Sequence, residues 1–75
     1  MSIDSLPRGS VVGILGGGQL GRMLVMSAAR LGFKAHVYSP AGDNPAFAVC
    51  HQYTQADFND EAALRAFAET CDVVT

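Results

Sequence analysis

The period at which apolar residues recur changes from segment to segment along this chain, and each period predicts an element. Val11–Leu15 (VVGIL) is a short, β-branched apolar run closed by three glycines, the pattern of a strand buried on both faces. Over residues 19–31 the apolar positions Leu20, Met23, Leu24, Ala28 and Leu31 recur at steps of three and four, with Arg22 and Arg30 off that stripe. This predicts a helix packed on a sheet through those residues, stopped by Gly32. Lys34–Ser39 (KAHVYS) resumes strand character, and PAGDNP sets Pro40, Gly42, Asp43, Asn44 and Pro45 at turn positions. AFAVC predicts a short helical turn, and HQYTQ predicts a polar third strand at the sheet edge.

In DFNDEAALRAFAETC the spacing of Leu64, Phe67, Ala68 and Cys71 predicts a second helix. Asn59 is its expected N-cap, and Asp60 and Glu61 fall in the first turn, where the helix dipole favours acids. Residues 72–75 (DVVT) open a further strand. Strand, helix, strand, short helix, strand, helix, strand is an α/β alternation. It predicts a Rossmann-like parallel sheet with flanking helices, incomplete at its carboxyl end. The expected organisation is a polar leader over residues 1–10 and one domain over residues 11–75.

Composition narrows the function. At 75 residues, 49% of them hydrophobic, the chain supports one small layered core and no multi-domain enzyme, since domains usually run to about 100–150 residues. A formal charge of −2 supplies no basic stripe for a phosphate backbone, so no nucleic acid partner is expected. MSIDSLPRGS lacks a signal-peptide core, and no run approaches the roughly 20 apolar residues of a membrane span. A cytoplasmic protein with no membrane partner is the expectation. Cys50 and Cys71 stand without a C-x-x-C or a paired histidine, so reduced, buried thiols are expected and neither zinc nor a disulfide. Asp57, Asp60 and Glu61 are explained by a helix start, and no metal site is assigned.

Candidate chemistry concentrates in GILGGGQLGRM, where Gly16, Gly18 and Gly21 complete G-x-G-x-x-G between a strand and a helix. In that motif the first glycine allows a tight turn, the second lets a ligand approach the backbone, and the third lets helix and strand pack closely. Helix N-terminal amides then face the ligand, at the carboxyl end of the strand. A dinucleotide site places an acid at the end of the second strand, about 20 residues beyond the glycines, on the ribose 2′-hydroxyl. Tyr38, Ser39 and Pro40 hold that place here, and no arginine follows in PAGDNP to neutralise a 2′-phosphate. The turn therefore suits something smaller than a dinucleotide. An NAD(P)-binding domain of an oxidoreductase and a non-catalytic nucleotide-binding module stay open at this level, as do glycines that serve packing alone.

GILGGGQLGRML, then AARLGF, then CDVVT resemble the amino-terminal, pre-ATP-grasp domain of the N5-carboxyaminoimidazole ribonucleotide synthetase family, the ATPase subunit of phosphoribosylaminoimidazole carboxylase. The resemblance spans residues 11–75 and is most specific over 17–23, because the turn itself does not demand Gln19, Arg22 or Met23. It implies an ATP-grasp ligase of de novo purine (IMP) biosynthesis. In that family ATP activates bicarbonate as carboxyphosphate, and the amine of aminoimidazole ribonucleotide takes up the carboxyl to give N5-carboxyaminoimidazole ribonucleotide, ADP and phosphate.

By the same resemblance ATP and magnesium belong to later domains of a full-length, homodimeric parent, none is bound by this segment alone, and no catalytic residue lies within it. Gly16, Gly17, Gly18, Gln19 and Leu20 would line the substrate pocket, with Arg22 as a further candidate contact. Backbone amides suit sugar or phosphate oxygens, and the Gln19 amide both donates and accepts.

Individual side chains carry two readings. Arg22 opposes the helix dipole at a cost of up to about 1 kcal/mol, which gives it a reason to be there, and it reads equally as a ligand contact or as a solvated cation. His36 and His51 lack ligand-type neighbours and read as structural histidines. Met23 and Met26 read as core fillers. Tyr38 is a strand aromatic that is also placed to stack on a base or sugar.

Overall fold

The computed structural model describes residues 6–75. Four strands, β1 (Val11–Leu15), β2 (Lys34–Ser39), β3 (Gln52–Gln55) and β4 (Val73–Val74), form one parallel sheet in the order β3-β2-β1-β4. Helix α1 (Gln19–Arg30) joins β1 to β2, a 3-10 helix (Pro45–Ala48) precedes β3, and α2 (Glu61–Glu69) joins β3 to β4. The α/β alternation expected from the sequence is thus the observed one, with β3 at an edge. The β1-to-β2 and β3-to-β4 crossovers run in opposite directions across the sheet, so right-handed connections place α1 and α2 on opposite faces.

Side-chain alternation along β2 serves both faces at once. Ala35 and Val37 join Val12, Ile14, Val25, Ala28, Phe33 and Ala46 in the core beneath α1. His36 and Tyr38 point the other way, where the Phe67 ring of α2 lies 4.8 Å and 5.2 Å from theirs. Gly13 of β1 belongs to this second face. A Cβ there would stand 2.6 Å from Cys71 Sγ and 2.9 Å from Phe67 Cζ, so the absence of a side chain is what lets α2 settle on the sheet.

The stripe expected to dock α1 is not the one that docks. Of Leu20, Met23, Leu24, Ala28 and Leu31, only Ala28 is buried, while Leu20 is 70% and Met23 61% exposed. Gly21, Val25 and Ala28 make the contact, a line at helical spacing displaced by about one position from the apolar stripe. Close approach decides this: a Cβ at Gly21 would run into the Gly16 carbonyl, so the helix turns its smallest residue toward the sheet. Met26 is exposed as well, so neither it nor Met23 fills the core.

Helix α2 is capped by Asp60, not Asn59. The Asp60 carboxylate accepts the Ala63 amide at 3.0 Å, because a turn closed by Asp60 N–H on the Asp57 carbonyl delays the helix by one residue. Phe67 is its one fully buried side chain; Leu64 and Cys71 are half-buried and Ala68 is exposed. Both cysteines are free and half-buried rather than buried, with burial pushing each thiol pKa up.

Of the leader, residues 1–5 lie outside the described residues. Residues 6–10 run against the α1–β2 junction: Leu6 packs on the core, Gly9 N–H donates to the Gly32 carbonyl at 2.8 Å, and Lys34 N–H donates to the Ser10 carbonyl at 2.9 Å. Among the described residues no helix is long and apolar enough to cross a membrane.

Candidate functional site

The turn after β1 is built from glycines with different tasks. Gly16 has φ +111, a conformation L side chains rarely adopt, and its N–H donates to the Tyr38 carbonyl at 2.8 Å, tying the turn to the end of β2. Gly17 is buried. Its carbonyl accepts from Ala46 N–H at 2.9 Å, and a Cβ on it would lie 2.9 Å from Asn44 Cβ. Gly18 is the N-cap of α1, with extended backbone and open space where a Cβ would stand.

No side chain caps α1 and no acid occupies its first turn, so the partial positive charge of the first amides is uncompensated. Above that turn lies a cavity of about 330 Å³ lined by Leu15, Gly16, Gly18, Gln19, Leu20, Gly21 and Leu24. The structure therefore brings Gly16, Gly18, Gln19 and Leu20 to one concave surface at the carboxyl end of β1, where open α/β sheets bind ligands. Gly17 stands behind that surface under Asn44, and the exposed Arg22 is outside the lining. A second cavity of about 210 Å³ sits by the amino ends of β2 and β3, beside Lys34, Cys50 and His51.

Tyr38 does not offer a stacking surface. It is fully buried, and its hydroxyl donates to the Asp57 carbonyl at 2.6 Å. Burial, then Asp60 and Asp57, push its pKa above the ordinary tyrosine value.

His36 is buried, with both ring nitrogens 2.7 Å from threonine hydroxyls. The Thr70 hydroxyl spends its proton on the Phe67 carbonyl, so it accepts from His36 Nδ1–H, and Nε2 accepts from the Thr54 hydroxyl. Burial lowers the His36 pKa. This histidine is a structural bridge between β2, β3 and the end of α2.

Asn44 is the residue that sequence reasoning passed over. PAGDNP reads only as a turn, yet Asn44 Nδ2 donates to the Pro40 carbonyl at 2.8 Å and the Gly42 carbonyl at 3.3 Å while its side chain lies against Gly17. The local signal is an asparagine before a proline at the foot of a turn. Nothing in that signal names the glycine turn as its neighbour.

Known proteins share this fold and much of this sequence. Residues 10–75 match the family model of the ribonucleotide synthetase preATP-grasp domain. The N5-carboxyaminoimidazole ribonucleotide synthase of Staphylococcus aureus (strain MRSA252) is 44% identical over 75 residues, covering 100% of this chain and 20% of the synthase. The bifunctional purine synthesis protein purC/E of Dictyostelium discoideum is 49% identical over 70 residues, 93% of this chain and 7% of that protein.

Among solved structures, N5-carboxyaminoimidazole synthetase from Staphylococcus aureus complexed with ADP superposes with a TM-score of 0.88 at 44% identity, over 93% of this chain and 19% of its own. N5-carboxyaminoimidazole synthase from Aspergillus clavatus, in complex with ADP and 5-aminoimidazole ribonucleotide, gives 0.76 at 42% identity, over 89% and 18%. The chain thus spans about 20% of the length of the first synthase it matches. Sheet order, glycine turn and a family match over nearly every described residue agree: this chain belongs to the ribonucleotide synthetase preATP-grasp domain family.

Proposed function

We propose that residues 11–75 form the ribonucleotide-binding wall of an N5-carboxyaminoimidazole ribonucleotide synthetase, an ATP-grasp ligase of de novo purine biosynthesis working in the cytoplasm as a homodimer. The observation that carries this reading is the cavity over Gly16, Gly18, Gln19 and Leu20 in a chain of this family. The Aspergillus clavatus relative, whose solved structure holds ADP and 5-aminoimidazole ribonucleotide, supports the substrate class.

Each group here has a defined task. The uncapped first-turn amides of α1 hold sugar or phosphate oxygens. Gln19 accepts from a hydroxyl or donates to an oxygen, and Leu15, Leu20 and Leu24 shield the bound ring from water. Arg22, one helical step away, adds attraction for the anionic ribonucleotide. ATP activates bicarbonate as carboxyphosphate; the ribonucleotide amine then attacks its carbon, phosphate leaves, and the amine proton passes to solvent. The family resemblance assigns magnesium and its ligands to the rest of the ligase, where one or two carboxylates and the ATP phosphates would hold the ion.

The test is ADP release by the longer ligase carrying this segment, with bicarbonate, with and without aminoimidazole ribonucleotide. Release should depend on the ribonucleotide. Gly18→Val is the probe because the position has extended backbone and open space around its Cα, so the fold admits the side chain while its methyl groups take up space beside the bound ribonucleotide. Its KM for the ribonucleotide should rise about tenfold or more, the loss of roughly one good contact. Ribonucleotide-independent release would overturn the reading.

A further inference from the structure

We propose that Asn44 is a positioning residue for this site: it clamps the loop over residues 40–45 onto the glycine turn and thereby fixes the direction of the Gly18 amide. The inference rests on the turn being the ribonucleotide site. Asn44 folds its own loop by donating to the Pro40 and Gly42 carbonyls at 2.8 Å and 3.3 Å. The same side chain occupies the space a Cβ at Gly17 would need, with Asn44 Cβ and Cγ each 2.9 Å from that point. Directly after it, Pro45 opens the 3-10 helix and Ala46, fully buried, donates its N–H to the Gly17 carbonyl at 2.9 Å.

That hydrogen bond sets an orientation. In a planar trans peptide the carbonyl and the following N–H point in opposite directions, and the described residues contain no cis bond. With the Gly17 oxygen held toward Ala46, Gly18 N–H faces away from Ala46, and Gly18 itself lines the cavity. No main-chain carbonyl among the described residues accepts it. A peptide flanked by two glycines rotates with little steric resistance, so the clamp is what keeps it from turning over. A reversed peptide would present the Gly17 carbonyl to the ribonucleotide, and oxygen facing oxygen repels.

Initial-rate kinetics of the longer ligase with Asn44→Ala test this. The KM for aminoimidazole ribonucleotide should rise about tenfold, as for loss of one aligned hydrogen bond, while the KM for ATP and the kcat at saturation stay within about twofold of the parent. An unchanged ribonucleotide KM would overturn the proposal, as would parallel rises in both KM values with a falling Tm, the mark of general loosening. If Asn44→Ala does not fold, glycine-selective 15N labelling of the unmodified ligase answers instead. The Gly18 amide resonance should shift on saturation with the ribonucleotide, and an unmoved one overturns the proposal. Ribonucleotide-independent ADP release by the unmodified ligase would instead overturn the functional reading beneath it.

Discussion

The two faces of the sheet are closed in different ways. Under α1, Val12, Ile14, Val25, Ala28, Phe33, Ala35, Val37 and Ala46 fill space with apolar volume drawn from two strands, a helix, a turn and the 3-10 helix. Under α2, Phe67 alone is fully buried from the helix, and it meets His36, Tyr38 and the bare backbone of Gly13. Hydrogen bonds complete that second face, from Tyr38 to the Asp57 carbonyl and from His36 to Thr54 and Thr70. Stability on the first face is spread over many contacts. On the second it hangs on one ring and a few polar ties, so single substitutions there should be felt more sharply.

The largest effect tests that contrast directly. Phe67→Ala should cost about 3–5 kcal/mol in chemical denaturation, against roughly 2 kcal/mol for Val25→Ala under α1, since the cost grows with the volume removed and the cavity left. Equal losses would show the faces to be alike.

Next, Thr70→Val keeps the shape but leaves His36 Nδ1–H without its acceptor, an expected loss of about 1–3 kcal/mol. A loss below that range would mean that the polar ties of the α2 face contribute little. Asp60→Ala should then cost about 1 kcal/mol and Asn59→Ala under about 0.5 kcal/mol in thermal melts, because only the first removes a cap.

The smallest effect is the pH dependence of the α2 face. Burial lowers the folded-state pKa of His36 below its ordinary 6.5. Between the two values the unfolded chain binds more protons than the folded one, so stability rises with pH there. The His36 contribution is fully present above about 6.5 and is lost as pH falls through the lower folded value. Melting temperatures taken from pH 7.5 to 5 should fall on acidification, and less steeply in His36→Gln. Matching slopes would assign the acid sensitivity to other groups.

The glycine turn is legible in the sequence in outline, and its neighbours in space are not. Its position between a buried strand and a helix follows from the residue pattern, and Gly16, Gly18, Gln19 and Leu20 do share one cavity. The family resemblance groups Gly17 with them, whereas its neighbours in space are Asn44 and Ala46. The sequence leaves Tyr38 free to stack because β2 ends there, yet α2 crosses over it.

The α1 stripe shows the same limit. Periodicity locates the apolar side of a helix to within about one residue, and the steric fit of Gly21 against the turn selects Gly21, Val25 and Ala28 as the line that touches the sheet. Small residues score weakly as hydrophobic and strongly as contacts.

By itself the sequence determined the order and kind of the elements, the parallel sheet they build and the place of the glycine turn. Those features come from apolar periods, glycine and proline punctuation, and peptide geometry, all of which act over a few neighbouring residues. Only the tertiary structure decided which edge of α1 is buried, which glycine yields to a neighbour, and which way the Gly17 carbonyl points. Each of these depends on atoms that meet across long stretches of chain, as Gly17 meets Asn44 and Gly13 meets Cys71, and close packing admits one solution where local pattern admits several.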